Sequence, residues 1–402
     1  MNDIGIVMPV YNQVPEFLRD AIQSILHQSY IHFHFVIVID GASNDTITIV
    51  EDETKDDART KIIYKKKNEG VAKALNTGFE YLMELSDIKY FTWVSSDNIY
   101  YQEFLEKLRD SLHNGPPELG LVYSSFRHVD ENGHLMKDHP DFEAFHQFQE
   151  QPKEYLIDAC FIGVSFMYKK IYAQKIEGYV MEPVEDYEYW LRLTEECEIK
   201  YVKNILMDYR VDSPKSISTQ LRNSVEKNQR WRYFFNLARQ QARNRRNIPF
   251  EITILYPVKD GSQETIAKLE SVYNQYFSNF KVLIIDISPN STATPLLAGI
   301  SDPRVAFLKF PNISELEAIK IGAKSADTLF TIIVDDGCFP SSDAVLLNLT
   351  IFRKQLEAQF QVISTFDDGE GKVSYKTSRS PLEPLSGQLY KTATLLNILN
   401  ES

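Results

Sequence analysis

The sequence predicts an α/β fold, with a mostly parallel sheet flanked by helices, and it predicts that this fold occurs twice. Short β-rich runs alternate with helical patterns, as in "IGIVMPV", "PEFLRDAIQSILHQ" and "FHFVIVID", which is the rhythm of βαβ units. Further on, "FEITILYPVKDGSQETIAKLESVYNQYFSNFKVLIID" follows the same course as "NDIGIVMPVYNQVPEFLRDAIQSILHQSYIHFHFVIVID", which indicates two related domains. We expect a first domain over residues 1–221, a basic helical linker over 222–249 and a second domain over 250–402.

Composition and charge narrow the class of protein. At 402 residues with 43% hydrophobic content, the chain can bury two cores. Its formal net charge of −13 argues against a nucleic-acid-binding protein, because attraction to a polyphosphate needs clustered Lys and Arg. The first residues, "MNDIGIVMPVYN", form a strand pattern rather than a secretion signal, and no apolar run reaches the roughly 18 residues that cross a bilayer. We therefore expect a cytoplasmic protein without a transmembrane segment.

The predicted linker has a strongly basic sequence, "RNSVEKNQRWRYFFNLARQQARNRRNIP". One interpretation is a solvated connecting helix that stops at Pro249. The other is a contact with the inner face of an anionic membrane or with a phosphorylated acceptor. The pattern favours the connecting helix.

Polar loops follow three predicted strands of the first domain, "IVMPV", "FVIVID" and "YFTWV". In sheets of this kind ligands bind beyond the carboxyl ends of the strands, so we expect these loops to share one cleft. The segments "MPVYNQ", "VIDGASNDT", "KNEGVAKALNTGF", "SSDNIY" and "EDYEYWLRL" occur in this order, and together they resemble the family 2 glycosyltransferases over about residues 3–220. The resemblance implies a GT-A fold, which is a Rossmann-like nucleotide-binding α/β domain, and a nucleotide-sugar donor.

The resemblance places the nucleotide against the loops after the first two strands. Asp40 matches the family's base-binding aspartate, and an ionised carboxylate can accept the imide proton of uracil. The alternative is a turn-forming aspartate before Gly41. The backbone of Pro9, Val10 and Tyr11, together with the Tyr11 ring, would flank the uridine. This implies a UDP-sugar donor, while a dTDP-sugar presents the same imide and stays open.

The segment "KNEGVAKALNTGF" also matches the family near the nucleotide. It supplies Asn68, Lys73 and Asn76 as candidate contacts. Lys73 would approach a phosphate, although an exposed helical lysine is an equally good interpretation.

The stretch "SSDN" stands where the family usually carries a DxD-like run. The resemblance gives Asp97 the metal position and gives Ser96 a ribose hydroxyl, while Ser95 replaces a carboxylate. One carboxylate, two diphosphate oxygens and waters can complete the octahedral shell of Mg²⁺ or Mn²⁺, which offsets the charge of the leaving diphosphate. A second ligand could come from Asp212, near the place where the family often has a metal-reaching His. A turn aspartate is the equal alternative there.

The segment "VEDYEYWLRL" places adjacent carboxylates, Glu185 and Asp186, at a predicted helix start, where the helix dipole stabilises anions. The family's catalytic base matches Asp186, and Glu185 is the neighbouring candidate. The base takes the proton of the acceptor hydroxyl, and the resemblance implies a single in-line displacement with inversion. The alternative is that these acidic residues only begin a helix. We expect Trp190 to pack in the core and Arg192 to form an ion pair or assist phosphate binding.

The second domain keeps the strands but not the whole site. An ungapped register puts Ile287 where Asp40 stands, and it brings Asp335 and Asp336 to the region of the metal. The chain reaches Ser402 before any counterpart of "EDYEYWLRL". We therefore expect a truncated, degenerate copy that serves as a scaffold, a dimerisation surface of a homo-oligomer or an acceptor platform. A residual metal site at the two aspartates is the alternative.

Two classes of function are compatible with these features. The favoured one is an inverting, metal-dependent glycosyltransferase that acts on a glycan or glycoconjugate acceptor, and the resemblance implies cell-wall, capsule or spore-surface polymers of a bacterial cell envelope. The rival is a non-catalytic GT-A-like nucleotide-binding or assembly protein, to which the reduced "SSDN" and the degenerate second copy point. The set of Asp40, Asp97 and Asp186 favours the enzyme.

Overall fold

A computed structural model describes residues 2–136, 141–211, 213, 215, 217–335, 337, 339–340, 342–356, 360–367, 373–378 and 384–401. The chain divides into two compact units, Met1–Ala238 and Arg239–Ser402. The division falls inside a long helix, Val225–Arg245, in the region where the sequence predicts a basic helical linker. Among the described residues, no helix is both long enough and apolar enough to span a bilayer.

The first unit contains the elements that carry the predicted site. Its strands are β1 (Ile4–Val10), β2 (Phe33–Asp40), β3 (Thr60–Lys65), β4 (Tyr90–Trp93), β5 (Ile99–Tyr100), β6 (Leu119–Val129), β7 (Phe166–Lys169) and β8 (Glu198–Arg210). Its helices are α1 (Pro15–Leu26), α2 (Asn44–Thr54), α3 (Val71–Met83), α4 (Phe104–His113), α5 (Phe142–Gln149), α6 (Lys170–Ala173), α7 (Glu185–Glu196), α8 (Ile217–Arg222) and α9 (Val225–Arg245), with a 3-10 turn at Lys153–Ile157. Because helices cover both faces of the sheet, β1 and β2 are apolar and buried along almost their whole length.

The helices of this unit begin where local chemistry favours a helix start. Pro15 is the first residue of α1, where its missing N–H is not needed and its fixed φ suits the helix. The Ser43 hydroxyl accepts the Thr46 N–H at 3.5 Å and caps α2. In α1 the buried side chains are Leu18, Ala21, Ile22 and Ile25, which is the spacing of one helical face.

The strand order of the first unit is β3-β2-β1-β4-β7-β6-β8-β5. Strands β3, β2, β1 and β4 are mutually parallel. Strand β7 is antiparallel to both β4 and β6, and β8 is parallel to β6. The carboxyl ends of the four parallel strands therefore lie at one edge of this sheet.

The second unit repeats this arrangement. Its strands are β9 (Ile252–Val258), β10 (Phe280–Asp286), β11 (Val305–Lys309), β12 (Phe330–Ile333), β13 (Val362–Asp367), β14 (Val373–Ser378) and β15 (Gln388–Lys391). Its helices are α10 (Gln263–Tyr273), α11 (Ala293–Leu297), α12 (Glu315–Ser325), α13 (Val345–Gln355) and α14 (Thr392–Glu401), with a 3-10 turn at Pro289–Ser291. The strand order is β11-β10-β9-β12-β15-β13-β14.

The two sheets match strand for strand from one edge to the sixth position. Strands β11, β10, β9 and β12 are parallel, and β15 is antiparallel to both β12 and β13, as β7 is to β4 and β6. The sheets diverge at the next strand, because β14 is antiparallel to β13 whereas β8 is parallel to β6. The predicted repeat of an α/β fold is thus confirmed.

Candidate active site

The loops after β1, β2 and β4 begin side by side at one edge of the first sheet. Val10 in β1 pairs with Ile39 in β2, and Val7 pairs with Trp93, the last residue of β4. The polar residues that follow these strands, among them Asp40, therefore start within one or two strand spacings of each other. This placement agrees with the expectation from the strand ends.

Asp40 lies at this edge, but its carboxylate is turned into the protein and the residue is only 3% exposed. It accepts the Glu69 N–H at 3.0 Å and the Gly70 N–H at 2.9 Å, and the Lys65 ammonium lies 3.0 Å away. This geometry departs from the expectation that Asp40 accepts the imide proton of uracil, because both carboxylate oxygens already have protein partners. In this structure Asp40 holds the turn that precedes α3.

Two glycines allow the close approaches at this turn. Gly41 has φ +67°, and a Cβ there would lie 2.4 Å from the Asn68 nitrogen. Gly70 has φ +96°, and a Cβ there would lie 2.4 Å from a carboxylate oxygen of Glu182. Positive φ and lack of space together require glycine at both positions. The turn held by Asp40 therefore packs directly against the segment that leads into α7.

The predicted contacts after β1 consist of backbone and one aromatic ring. Pro9 and Val10 are the last residues of β1, and the Val10 side chain is fully buried, so Val10 can offer only its backbone to a ligand. Tyr11 is 47% exposed. Asn68, in the neighbouring loop, is exposed, and its side-chain oxygen accepts the Gly70 N–H at 3.0 Å.

Helix α3 carries two further candidates, and the structure gives them different environments. Lys73 is exposed in the first turn of the helix. Asn76 instead brackets the Tyr179 backbone: its side-chain NH₂ donates to the Tyr179 carbonyl at 2.8 Å, and its oxygen accepts the Tyr179 N–H at 2.7 Å. The expected nucleotide contact of Asn76 is therefore replaced by a positioning contact with the loop before α7.

Hydrogen bonds shape the turn after β4 that contains "SSDN". The Ser95 N–H donates to the Tyr100 hydroxyl at 2.9 Å. The Gln13 side-chain nitrogen lies 3.5 Å from the Ser96 hydroxyl oxygen, which connects this turn to the loop after β1. The Asn98 side-chain oxygen accepts the Arg210 N–H at 3.0 Å. Ser96 stays partly exposed at the edge of the sheet.

Arg210 was not among the residues predicted from the sequence, yet its side chain binds the backbone of this turn. Its side chain is buried, and Nε donates to the Asp97 carbonyl at 3.1 Å while Nη1 donates to the Glu131 carbonyl at 2.7 Å. The guanidinium also lies 3.9 Å from the centroid of the Phe17 ring. A fixed positive charge therefore stands behind the Asp97 backbone.

The Asp97 side chain fits a metal-binding role. Burial raises the pKa of its carboxyl to about 6, and the charge of Arg210 opposes this rise. A carboxylate withdrawn from water is stabilised when a cation binds it, and carboxylate oxygen suits Mg²⁺ or Mn²⁺. In the described part of the chain, no three His, Cys, Asp or Glu side chains converge on a metal position. The predicted second ligand, Asp212, lies outside the described residues.

Helix α7 begins with the two carboxylates predicted for the base. Glu185 is 9% exposed, and its Oε2 has no hydrogen-bond partner among the described residues. Asp186 is partly exposed, and its Oδ1 accepts the Tyr187 N–H at 2.6 Å. Burial raises the pKa of Glu185, and the charges of Asp186 and Glu182 raise it further. Desolvation raises the pKa of Asp186, and the Tyr187 N–H opposes this. Both pKa values are therefore raised, and the two carboxyl groups titrate as a coupled pair.

The Glu185→Gln variant should become more stable than the wild type as pH rises. The folded-state pKa of Glu185 lies above its unfolded value, so the wild type loses stability as pH rises from the unfolded pKa towards the folded pKa. Glutamine does not ionise, so the free energy of unfolding of the variant does not include this pH-dependent loss. We expect a gain of at least about 1.4 kcal/mol between pH 4 and pH 8, measured by urea unfolding. A stability difference that does not change with pH would contradict a buried, proton-holding Glu185.

The rest of α7 is fixed by aromatic packing and an ion pair. Trp190 is fully buried, as predicted, and the Tyr189 ring stacks on the Tyr179 ring with centroids 4.1 Å apart. Arg192 forms an ion pair with Glu188 at 2.6 Å, which was one of its two predicted roles. The helix that carries the candidate base is thus held by the same loop that Asn76 brackets.

The second unit lacks this arrangement at the equivalent strand end. Val258 pairs with Asp286 as Val10 pairs with Ile39, so Ile287 stands where Asp40 stands, as the ungapped register predicts. Asp286 is fully buried, and both of its oxygens accept protein donors close in sequence.

The aspartates predicted near the metal position of the second unit are only partly described. Asp335 accepts the Gly337 N–H at 2.8 Å and the Ser386 hydroxyl at 2.5 Å. Asp336 lies outside the described residues. The residual metal site therefore stays a hypothesis.

Known proteins resemble this chain at the level of family and fold. Residues 5–176 match the family described as glycosyl transferase family 2. An uncharacterized glycosyltransferase of Rickettsia bellii is 23% identical over 376 residues, which cover 83% of this chain and 53% of that protein. One from Rickettsia felis is 23% identical over 389 residues, covering 86% of this chain and 63% of its own length. The chain thus spans between half and two thirds of the length of these relatives. A solved mannosyltransferase from Pyrobaculum calidifontis, in complex with GDP-Man and Mn²⁺, is 15% identical and covers 59% of this chain and 64% of its own, with a TM-score of 0.45.

Proposed function

We propose that this chain transfers a sugar from a nucleoside-diphosphate sugar to a hydroxyl of a glycan acceptor, since residues 5–176 match glycosyl transferase family 2. The observation that supports this most is the close approach of Gly70 to Glu182, which brings the acidic start of α7 to the edge where the parallel strands end. Only β1 separates β2 from β4, and two strand spacings amount to about 10 Å. We infer that Asp97 and the start of α7 face one space at this edge of the sheet, which a diphosphate sugar would occupy.

The donor side of the proposed site is built on Asp97. This residue would hold the cation, and Mg²⁺ or Mn²⁺ would, when bound, supply positive charge beside the leaving diphosphate. Arg210 keeps the turn in place through the Asp97 carbonyl and adds a fixed positive charge. The exposed Tyr11 ring and the partly exposed Ser96 hydroxyl would contact the nucleoside.

The acceptor side is built on Asp186. Its carboxylate would take the proton of the acceptor hydroxyl while that oxygen bonds to the anomeric carbon and the bond from that carbon to the diphosphate oxygen breaks, which inverts the anomeric configuration. Glu185 would stay neutral beside it, because burial and the charge of Asp186 both disfavour the ionised form of Glu185. A base with a raised pKa near the working pH is the more effective proton acceptor.

The proposal also names a donor and a class of acceptor. UDP-sugar is the first donor to test, although the preference no longer rests on Asp40, whose carboxylate is committed to the Glu69–Gly70 backbone. A dTDP-sugar is the next. We propose a surface or cell-envelope glycan as acceptor, which rests on the family. We propose the second unit as scaffold or acceptor platform, because Ile287 stands there in the place of Asp40.

A nucleotide panel tests the donor class. UDP with Mn²⁺ should raise the melting temperature by several degrees more than UDP alone, because a ligand bound only to the native state stabilises it by about 2.7 kcal/mol at a hundred times its dissociation constant. CDP and GDP serve as matched nucleotides and should give smaller shifts. If no nucleoside diphosphate shifts the transition at millimolar concentration with either ion, the non-catalytic assembly protein becomes the better interpretation.

A further inference from the structure

A pocket lies at the edge of the first sheet opposite the candidate active site. It has a volume of about 620 Å³, and Tyr90, the first residue of β4, lines it. Asp97 follows β4 at its other end. The two positions thus lie at opposite ends of this strand, whose four residues span about 10 Å. A ligand in this pocket would therefore not overlap a bound donor.

The pocket is basic in an acidic chain. Lys89, Lys169 and Lys170 line it, and no Asp or Glu is among its lining residues, although the chain has a formal net charge of −13. Lys170 is 8% exposed, and its ammonium donates to two backbone carbonyls, of Met83 and Leu85, both at 2.8 Å. The Lys169 ammonium likewise donates only to carbonyls, the nearer at 3.2 Å.

The carboxylates nearest to these ammonium groups act on them only through their charge: Asp87 and Glu84 on Lys170, and Glu118 on Lys169. In the part of the chain that the structure describes, neither Lys169 nor Lys170 forms an ion pair with a carboxylate. Burial lowers the pKa of both, which a bound anion would reverse. An ammonium has three N–H donors, so each of the two retains one for a ligand after its carbonyl contacts.

The rest of the pocket wall is apolar. Ile88 and Tyr90 are buried behind it, and Pro117 and the exposed Ile171 complete this side. Pockets of about 300–1,000 Å³ with apolar walls and a few placed polar groups are the usual form of sites for organic ligands. A small inorganic anion would leave this wall unused.

We propose that this pocket binds an organic phosphate, with the phosphate against Lys89, Lys169 and Lys170 and the apolar part on Ile88 and Tyr90. A phosphate monoester carries up to two negative charges and three acceptor oxygens, which matches three ammonium groups. The same chemistry occurs in the headgroup of an anionic lipid and in a soluble phosphate ester. Binding here is independent of the proposed transfer reaction.

Calorimetric titration of the intact chain with hexyl phosphate and with inorganic phosphate tests the site, in the presence of saturating UDP and Mn²⁺. We expect hexyl phosphate to bind about tenfold more tightly or better, because each buried methylene adds to affinity. The double variant Lys89→Gln with Lys169→Gln should lose at least about tenfold in affinity. Lys170 is left unchanged, because it also binds the carbonyl at the end of α3. The matched control Lys107→Gln, an exposed lysine of α4, should stay within about twofold.

Co-sedimentation with vesicles identifies the source of the phosphate. Binding to vesicles that contain phosphatidic acid, whose headgroup is a phosphate monoester, but not to phosphatidylcholine vesicles, lost in the double variant, assigns the pocket to a lipid headgroup. Binding of hexyl phosphate without vesicle binding assigns it to a soluble ester. The proposal is overturned if hexyl phosphate does not bind at millimolar concentration, if it competes with UDP, or if Lys107→Gln loses as much affinity as the double variant.

Discussion

The Asp186→Asn variant should transfer sugar about 10² to 10⁴ times more slowly than the wild type, while binding the nucleotide within about twofold. Asparagine keeps the shape of the side chain and can still accept the Tyr187 N–H. It cannot take a proton from the acceptor hydroxyl, so it removes general-base assistance alone. Initial rates with a true acceptor and titration of UDP with Mn²⁺ measure the two quantities separately.

The neighbouring Glu185→Gln variant is the matched control for this result. We expect it to lose much less activity, because Glu185 already holds a proton and does not act as the base. The wild-type rate should fall as pH is lowered through the raised pKa of Asp186, while the residual rate of Asp186→Asn should not follow that pH dependence. If Glu185→Gln is inactive and Asp186→Asn is near normal, the base is Glu185. If both stay active, the inverting mechanism proposed above is wrong.

The repeated fold could be predicted because its signals are local and occur twice. The alternation of strands and helices predicts a mostly parallel sheet, and the order in which these elements recur predicts that the two sheets correspond, as their first six positions do. The next position could not be predicted, because β8 and β14 pair with their neighbours in opposite directions. That choice depends on connections between distant segments rather than on the pattern within either strand.

The candidate site was predictable where a residue's position follows directly from a strand or helix end. Tyr11, Asp97 and the Glu185–Asp186 pair all lie at such ends, and the structure finds them there. The hydrogen-bond partners of such a side chain could not be predicted in the same way, because they come from residues that are distant in the sequence.

Three residues show this limit. The Asp40 carboxylate accepts the N–H of a residue 30 positions away, Asn76 brackets a backbone 103 positions away, and Arg210 donates to a carbonyl 113 positions away. None of these contacts leaves a spacing or composition signal in the sequence. The family resemblance aligned Asp40 with a base-binding residue, but the acceptor capacity of its oxygens is already used by protein donors. Its assignment as a base contact stays a prediction, and it would require these protein contacts to be shared or exchanged.

The second unit helps to separate fold from chemistry at these positions. Asp286 also lies at the end of a central strand. Its two carboxylate oxygens accept hydrogen bonds from backbone N–H groups of Ser288 and Thr294, which follow that strand. A buried aspartate near the end of this strand therefore occurs in both units, but Asp40 binds the turn before α3, whereas Asp286 binds the turn directly after its own strand. For this reason we attach the proposed chemistry to Asp97 and Asp186 rather than to Asp40.

Asp97→Asn should abolish the part of nucleotide binding that depends on Mn²⁺, with a loss of at least about 100-fold, because even groups that only support a metal ligand change metal affinity by 10- to 100-fold. Titration of UDP with and without Mn²⁺ measures this part directly. The variant should remain folded, since the wild-type Asp97 carries a raised pKa and its ionisation destabilises the folded state as pH rises from the unfolded pKa to about 6. The bond from Arg210 to the Asp97 carbonyl is a backbone contact and is retained.

The control for this change is Asp20→Asn, which removes the same charge from an exposed position on α1 and should leave binding unaltered.

In the wild type, the Mn²⁺-dependent part of UDP affinity should fall about tenfold for each pH unit below 6, because a proton and the cation compete for one carboxylate. Asp97→Asn should show no such dependence. If the variant keeps its Mn²⁺ response, the cation is held elsewhere, and Asp212 is the first residue to substitute. If wild-type affinity for UDP is the same with and without Mn²⁺ at every pH, the chain binds its donor without a metal, and the fixed charge of Arg210 becomes the group to test for stabilising the diphosphate.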